Sequence, residues 1–390
     1  MIRRPPRSTP SNSSAASDVY KRQPLTILGC ESGWSSPLWW LRNLFNGIRI
    51  LIQTVSYPEW LVLELGAERP KDIEKLVDWV DPDIAVISAM SEIPVHVEFF
   101  ASPEAVAREK SKILRGLGVR DFAILNFDDE TVLEMRNKTR AQIVTYGLGE
   151  GADVRASNYH IVYHKNTKSG FDVPEGITFK VDYGGNSVPI RILNTFGKHH
   201  IYAVLAAIGV GVSQRLNLVE MAEALFRYSA PPGRLKLIRG EKNTWILDDT
   251  YNASPASVHA ALDVLEEIPA VRKIAVLGDM LELGKYTIEA HKAVGDRARA
   301  VADLLFTVGP RAKFIAQEAR ETGLDSKNIF EFSTSTEAAG VIEKNIKQGD
   351  LILVKGSQAM RMEKIVEEIM AEPQRASELL VRQSKEWKRI

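Results

Sequence analysis

The sequence predicts an α/β protein built on two mostly parallel sheets, and three observations predict it. Short runs rich in Val, Ile, Leu and Phe recur along the chain, each followed by a run with helical spacing, which is the order of βα units. At 230-APPGR-234 two prolines and a glycine break the series, and a second series starts beyond them. Between 154 and 193 strand and turn patterns alternate without a helix, so an antiparallel patch is inserted in the first unit.

In the first series WLVLELG (60–66), IAVISAM (84–90), FAILNF (122–127) and IVTYG (143–147) read as buried strands, with helices over 72–80, 103–117 and 129–137. Gly184-Gly185-Asn186 is the hairpin signal inside the antiparallel patch. A helical pair, 199–212 and 217–227, leads into the break. Beyond it TWILDD (244–249), KIAVLG (273–278), DLLFTVG (303–309) and LILVK (351–355) are strands, each followed by a helical run. Residues 374–390 read as a polar helical tail.

With 390 residues, 45% of them hydrophobic, the chain is long enough to bury a sizeable core. Fifty basic and fifty acidic residues cancel, so no whole-chain field draws it to nucleic acid or to an anionic membrane. Its one cysteine, Cys30, excludes an intrachain disulfide and fits a reducing compartment. The stretch 38-LWWLRNLFNGIRILI-52 is broken by Arg42, Asn43, Asn46 and Arg49. It falls short of the ~20 apolar residues a spanning helix needs and reads as a buried or interfacial helix and strand. Residues 1–23 are rich in Ser, Pro and Arg with no apolar period, and read as a disordered leader, a cloning or assembly scar joined at 24-PLTILG-29.

In open α/β sheets ligands bind beyond the carboxyl ends of the strands, so the residues there are the ones to read for chemistry. In 63-LELGAERP-70, Glu64 stands at an expected strand end, where one carboxylate together with substrate phosphates suits Mg2+; an acidic turn is the plainer reading. The acids of 126-NFDD-129 read as a helix N-cap, with Asn126 just before them. In 248-DDTYNASP-255, Asp249 and Asn252 sit between a strand and a helix starting near Pro255, in a turn able to face a nucleotide. Lys355 and Ser357 follow another strand as an anion contact. His96 and Lys110 bound 96-HVEFFASPEAVAREK-110, which is either a solvated helix or the edge of a cation site. The glycine pair of 29-GCESG-33 lacks the lysine of a phosphate-cradling loop and continues into tryptophan.

From Pro24 to about Met370 the chain resembles the Mur ligases of peptidoglycan synthesis. The resemblance is carried by 24-PLTIL-28, 63-LELGAERP-70, 96-HVEFFASPEAVAREK-110, 126-NFDD-129, 233-GR-234, 248-DDTYNASP-255, 276-VLGDMLELG-284 and 353-LVKGS-357, in the family's order. It implies a P-loop-type central domain over 24–233, with the P-loop itself missing, and a smaller Rossmann-like domain over 234–373. It also implies that a uridine-binding domain should precede Pro24. The implied activity is ATP-dependent, ADP-forming amide ligation in a cytoplasmic bacterial monomer with no membrane insertion. The DD-x-YNA-x-P octet points to the member whose substrates are UDP-MurNAc-tripeptide and D-alanyl-D-alanine.

By resemblance, Glu64, His96 and a CO2-carbamylated Lys110 would be the metal-side residues for Mg2+, and Lys110, His96 and Arg234 the catalytic ones. Asn126, His200, Asp249, Asn252 and Arg234 would contact ATP, with Lys355 and Ser357 on the dipeptide. One departure touches adenine: the family carries G-x-H-N-x-x-N-A-L-A-A, whereas 197-GKHHIYAVLAA-207 puts His200 and Ala203 at the asparagine positions. The missing loop and domain imply that the 390-residue chain binds ATP poorly and is inactive. Alternatives are a non-catalytic binding protein of Mur ligase shape, or another amide ligase of the folylpolyglutamate synthetase kind.

Overall fold

The computed structural model describes residues 25, 27–30, 36–53, 57–164, 172–384 and 387; the leader 1–23 and most of 29-GCESG-33 lie outside them. The first sheet has the order β1-β2-β3-β4-β5-β6, formed by Ile84–Ile87, Phe122–Asn126, Gln142–Gly147, Val154–His164, Val173–Tyr183 and Asn186–Leu193. β1 to β4 run parallel, and β4, β5 and β6 pair antiparallel, which is the inserted patch. Tyr183 faces Asn186 across a two-residue loop of Gly184 and Gly185 with φ of 56° and 79°. Both values lie in the left-handed region that a tight hairpin turn needs and that glycine enters without strain.

The second sheet has the order β11-β10-β9-β12-β8-β7, from Lys236–Arg239 (β7), Trp245–Asp249 (β8), Arg272–Gly278 (β9), Leu304–Val308 (β10), Ile329–Phe332 (β11) and Asp350–Lys355 (β12). All its pairings are parallel except the antiparallel edge β7/β8. The period of two is visible in β9. Ala275 and Leu277 enter the core on one face with Leu262 and Val294, and Ile274 and Val276 enter the other with Ile342 and Ile365. Both faces are thus covered by helices, which is why β10 and β12 are buried at every position. Phe306 stacks on Phe330 with centroids 4.7 Å apart, anchoring the β10/β11 edge.

Four expectations need correction. Residues 60–66 form no strand: Trp60, Leu61 and Val62 are exposed, and Glu64 stands on irregular, exposed chain. The helix expected over 103–117 stops at Lys110 and tightens into a 3-10 turn over Ser111–Gly116. The stretch 38–52 is one helix, Pro37–Ile52, that buries only Asn43 and Gly47 and turns Leu38, Leu41, Leu44, Phe45, Leu51 and Ile52 outward. The tail is neither a continuous helix nor merely polar, because Leu380, Arg382 and Trp387 are all buried. Among the described residues no helix is long and apolar enough to cross a membrane.

Candidate functional site

β8 and β12 are adjacent and parallel, and their register sets Lys355 beside Asp249 at the carboxyl end of the sheet. The Lys355 ammonium donates to Asp249 Oδ2 at 2.6 Å and to the Asn252 carbonyl at 2.9 Å. Lys355 is 2% exposed, a depth at which a lone charge is not tolerated, so each charge depends on the other. Asp249 Oδ1 accepts the Leu235 amide at 3.3 Å. Its neighbour Asp248 accepts the Gly233 amide at 3.1 Å and the Thr250 hydroxyl at 2.6 Å. Burial pushes the Asp248 carboxyl up to about 6, against the Thr250 and Gly233 bonds that favour its charged form.

These bonds fix the 233–235 turn against 248–251, and the Tyr251 amide closes it by donating to the Gly233 carbonyl at 3.1 Å. Gly233 has φ of 71°, and a Cβ there would lie 2.9 Å from Val381 and 3.0 Å from the Tyr251 nitrogen. Only glycine fits that turn. Next to it, the exposed Arg234 places its guanidinium 4.0 Å from the centroid of the Tyr251 ring, a cation–π contact that holds a long cationic side chain beside the turn.

The first sheet contributes His199 and His200, at the start of the helix Lys198–Ser213, with ring centroids 4.3 Å apart. His199 keeps part of its surface in solvent although protein crowds its other sides. Burial lowers it, helped by the nearby Lys355 and Arg234 charges. His200 is more enclosed, and its Nε2 is buried with no hydrogen-bond partner among the described residues. Burial, and then His199, lower its pKa to about 3, with Asp249 opposing. His200, Arg234, Asp249, Asn252 and Lys355 therefore form one neighbourhood.

That neighbourhood has a pH consequence. Unfolded, His200 takes a proton near its ordinary 6.5; folded, only near 3. The depressed value stabilises the fold above pH 6.5, and this contribution is lost as pH falls through that window, at about 1.4 kcal/mol per unit. His200→Asn is expected to lose roughly 2 kcal/mol less stability than the parent between pH 7 and 4.5, read by urea unfolding. Parallel losses would show that His200 carries no such penalty.

A second group spans the two units. His96 Nδ1 stands 2.7 Å from Glu282 Oε2, close enough for an ion pair though off-angle for a hydrogen bond. Burial pulls the His96 ring down, but the Glu282 carboxylate more than offsets it, and the pKa ends above its ordinary value. Both residues have positive φ, 66° and 64°. Lys110, in the helix Pro103–Lys110, is lowered by burial and lies near enough to His96 to act on its charge. A half-buried amine with a lowered pKa fits the neutral nucleophile that CO2 requires. Among the described residues no three His, Cys, Asp or Glu side chains gather as a metal cage.

Three expected ligand contacts have other partners here. Asn126 is buried, donates to the Ser88 carbonyl at 2.7 Å and accepts the Asp128 amide at 3.0 Å, tying β2 to β1. Lys355 donates to Asp249 and to the Asn252 carbonyl. Ser357 accepts the Leu281 amide at 2.9 Å, and its own amide donates to the Asp279 carbonyl at 2.9 Å. Sequence reasoning did not single out Tyr251, Glu282 or His199, although each lies in a stretch quoted for its pattern. It also missed Arg382, which donates to the Thr250 carbonyl at 3.0 Å and for which no local signal exists.

Both units have counterparts among known proteins. Residues 47–211 match the Mur ligase middle domain and 233–358 the Mur ligase glutamate ligase domain. The UDP-N-acetylmuramoyl-tripeptide–D-alanyl-D-alanine ligase of Bacillus subtilis (strain 168) is 30% identical over 336 residues, 85% of this chain and 69% of the relative. That of Escherichia coli (strain K12) is 30% identical over 330 residues, 83% and 69%. In fold, MurF from Acinetobacter baumannii superposes with a TM-score of 0.70 at 24% identity, covering 89% of this chain and 72% of that one. MurF ligase from Thermotoga maritima in complex with ADP gives 0.67 at 24% identity, covering 90% and 76%. With both halves matched in order and a relative at 30% identity along most of its length, the chain belongs to the Mur ligase family.

Proposed function

We propose that the chain is built for ATP-dependent amide formation, joining D-alanyl-D-alanine to UDP-MurNAc-tripeptide with release of ADP and phosphate. The observation that carries this reading is the Arg234–Tyr251 stack beside the buried Lys355–Asp249 pair, where the second sheet's carboxyl end meets His199 and His200. The names of the relatives supply the acceptor pair, and the ADP complex of the Thermotoga maritima structure supplies the nucleotide.

In the reaction a tripeptide carboxylate oxygen attacks the γ-phosphorus of ATP and ADP leaves. The free amine of D-alanyl-D-alanine then attacks the acyl carbon and phosphate departs. Such a transfer asks for positioning and charge neutralisation more than for covalent help from the protein. Arg234 brings a cation to the phosphates, and Lys355 positions Asp249 and the Asn252 backbone on the nucleotide side. Glu64, His96 and Lys110 as its carbamate are the residues that would hold Mg2+, which when bound neutralises charge on the transferred phosphoryl group. We place the reaction in the bacterial cytoplasm, carried out by a monomer.

We further propose that the 390-residue chain is inactive by itself, because 29-GCESG-33 offers the transferred phosphate no lysine and His200 and Ala203 replace two asparagines. With ATP, Mg2+ and both acceptors, phosphate release is expected to stay at the buffer rate. Release that depends on both acceptors would overturn this part and support the ligase reading directly. For Lys110, 13C-bicarbonate is expected to give a carbamate carbon resonance at alkaline pH that Lys110→Arg lacks. The same spectrum from both proteins would remove the carbamate from the account.

A further inference from the structure

Residues 376–384 pack on the second sheet through Ala376 and Leu380 and bring Arg382 to the turn that carries the nucleotide-side residues. Arg382 is 6% exposed. One of its terminal nitrogens donates to the Thr250 carbonyl at 3.0 Å and to Glu363 Oε2 at 2.9 Å, and the other donates to the Tyr251 carbonyl. Glu363, 1% exposed, is held in turn by Arg361 at 2.6 Å. The buried Trp387 ring lies 5.5 Å from the Arg361 guanidinium and 5.9 Å from that of Arg382. Val381 fills the space above Gly233. Arg382 and Arg361 both have positive φ, 59° and 53°, a conformation side chains rarely adopt unless surrounding contacts impose it.

The geometry points to a strap: Arg382 positions the Asp249–Asn252 turn and, through Tyr251, the Arg234 guanidinium. The planar fork matters because it satisfies two successive backbone carbonyls and one carboxylate from two separate nitrogens held in a fixed plane, whereas an ammonium presents its donors from a single atom. Tyr251 is the transmitting residue. Its carbonyl is held by Arg382, its amide by Gly233, and its ring faces Arg234. The helix Pro255–Glu267 begins just beyond, its start set by the Ser254–Ser257 capping box. Nothing in the proposed chemistry requires Arg382 to touch a substrate; it is a positioning residue, and its role at the nucleotide rests on the ligase reading above.

The test uses the full chain with Arg382→Ala, Arg382→Lys and Glu363→Gln, read by amide hydrogen exchange and by calorimetric titration with Mg–ADP. Arg382→Ala is expected to speed exchange over 249–253 and 233–235 at least tenfold, leave β9 unchanged and raise the Mg–ADP dissociation constant at least tenfold. Arg382→Lys should lie between it and the parent. Should Arg382→Ala fail to fold, the lysine and Glu363→Gln variants make the same comparison at smaller amplitude. Unchanged exchange at 249–253 while 376–384 loosens would overturn the strap. Faster exchange at 249–253 in a chain whose parent takes up no Mg–ADP would keep the strap and sink the ligase reading instead.

Discussion

Lys355→Ala is expected to lower stability by about 3–5 kcal/mol, the usual cost of removing one partner of a buried ion pair. The truncation leaves Asp249, 7% exposed, without its cation and strips the Asn252 carbonyl of a donor. The carboxylate cannot turn to solvent, because Asp249 Oδ1 is anchored on the Leu235 amide. The paired variant Asp249→Asn with Lys355→Met should cost less than the sum of Asp249→Asn and Lys355→Met made singly, since no uncompensated charge remains. Urea unfolding followed by far-UV circular dichroism reads all four proteins of the cycle. Additive losses would mean that the two charges are solvated independently and that the pair does not organise the turn.

Asp279→Ala is expected to cost about 2–4 kcal/mol, because each buried amide left without an acceptor costs about 1–3 kcal/mol. The Asp279 carboxylate, 1% exposed, accepts the Arg311 amide at 2.9 Å and the Ala312 amide at 2.7 Å. Its backbone links strands as well, donating to the Val308 carbonyl and accepting the Ser357 amide. Gly309, at φ of 109°, leaves the space the carboxylate occupies, since a Cβ there would lie 2.5 Å from Asp279 Oδ1. Asp279→Asn keeps one acceptor and should lose less than half as much. A thermal midpoint for Asp279→Ala equal to the parent's would show that the β9 and β10 ends hold without it.

The two-sheet architecture was legible because βα alternation is a local signal, and the strands at 84–87, 122–126, 245–249 and 304–308 fall inside the expected runs while 350–355 starts one residue before its own. The Gly184-Gly185 loop was legible because only glycine enters that turn at no cost. The edge strands β7 and β11 were missed: four residues with mixed burial carry too little pattern. Glu64 was misjudged for the opposite reason, since WLVLELG has strand composition but finds no pairing partner among the described residues.

In the site, the residue types were readable and their partners were not. Lys355 read as an exposed anion contact because the sequence cannot say that β12 lies next to β8, whose Asp249 then claims the ammonium. The Glu282 carboxylate that stands against His96 Nδ1 comes from 186 positions away. Arg382 looked like part of a polar tail because its three acceptors come from segments distant in sequence. Long-range pairing supplies the geometry, and single-sequence patterns do not encode it.

The most direct measurement is a calorimetric titration of the 390-residue chain with Mg–ADP, run beside Arg234→Ala. The account expects weak but saturable one-site binding by the parent and at least a tenfold larger dissociation constant for the variant, with both proteins unfolding at the same urea concentration. Absence of saturable binding, or equal affinity in the two folded proteins, would contradict a nucleotide site at the junction of the two sheets.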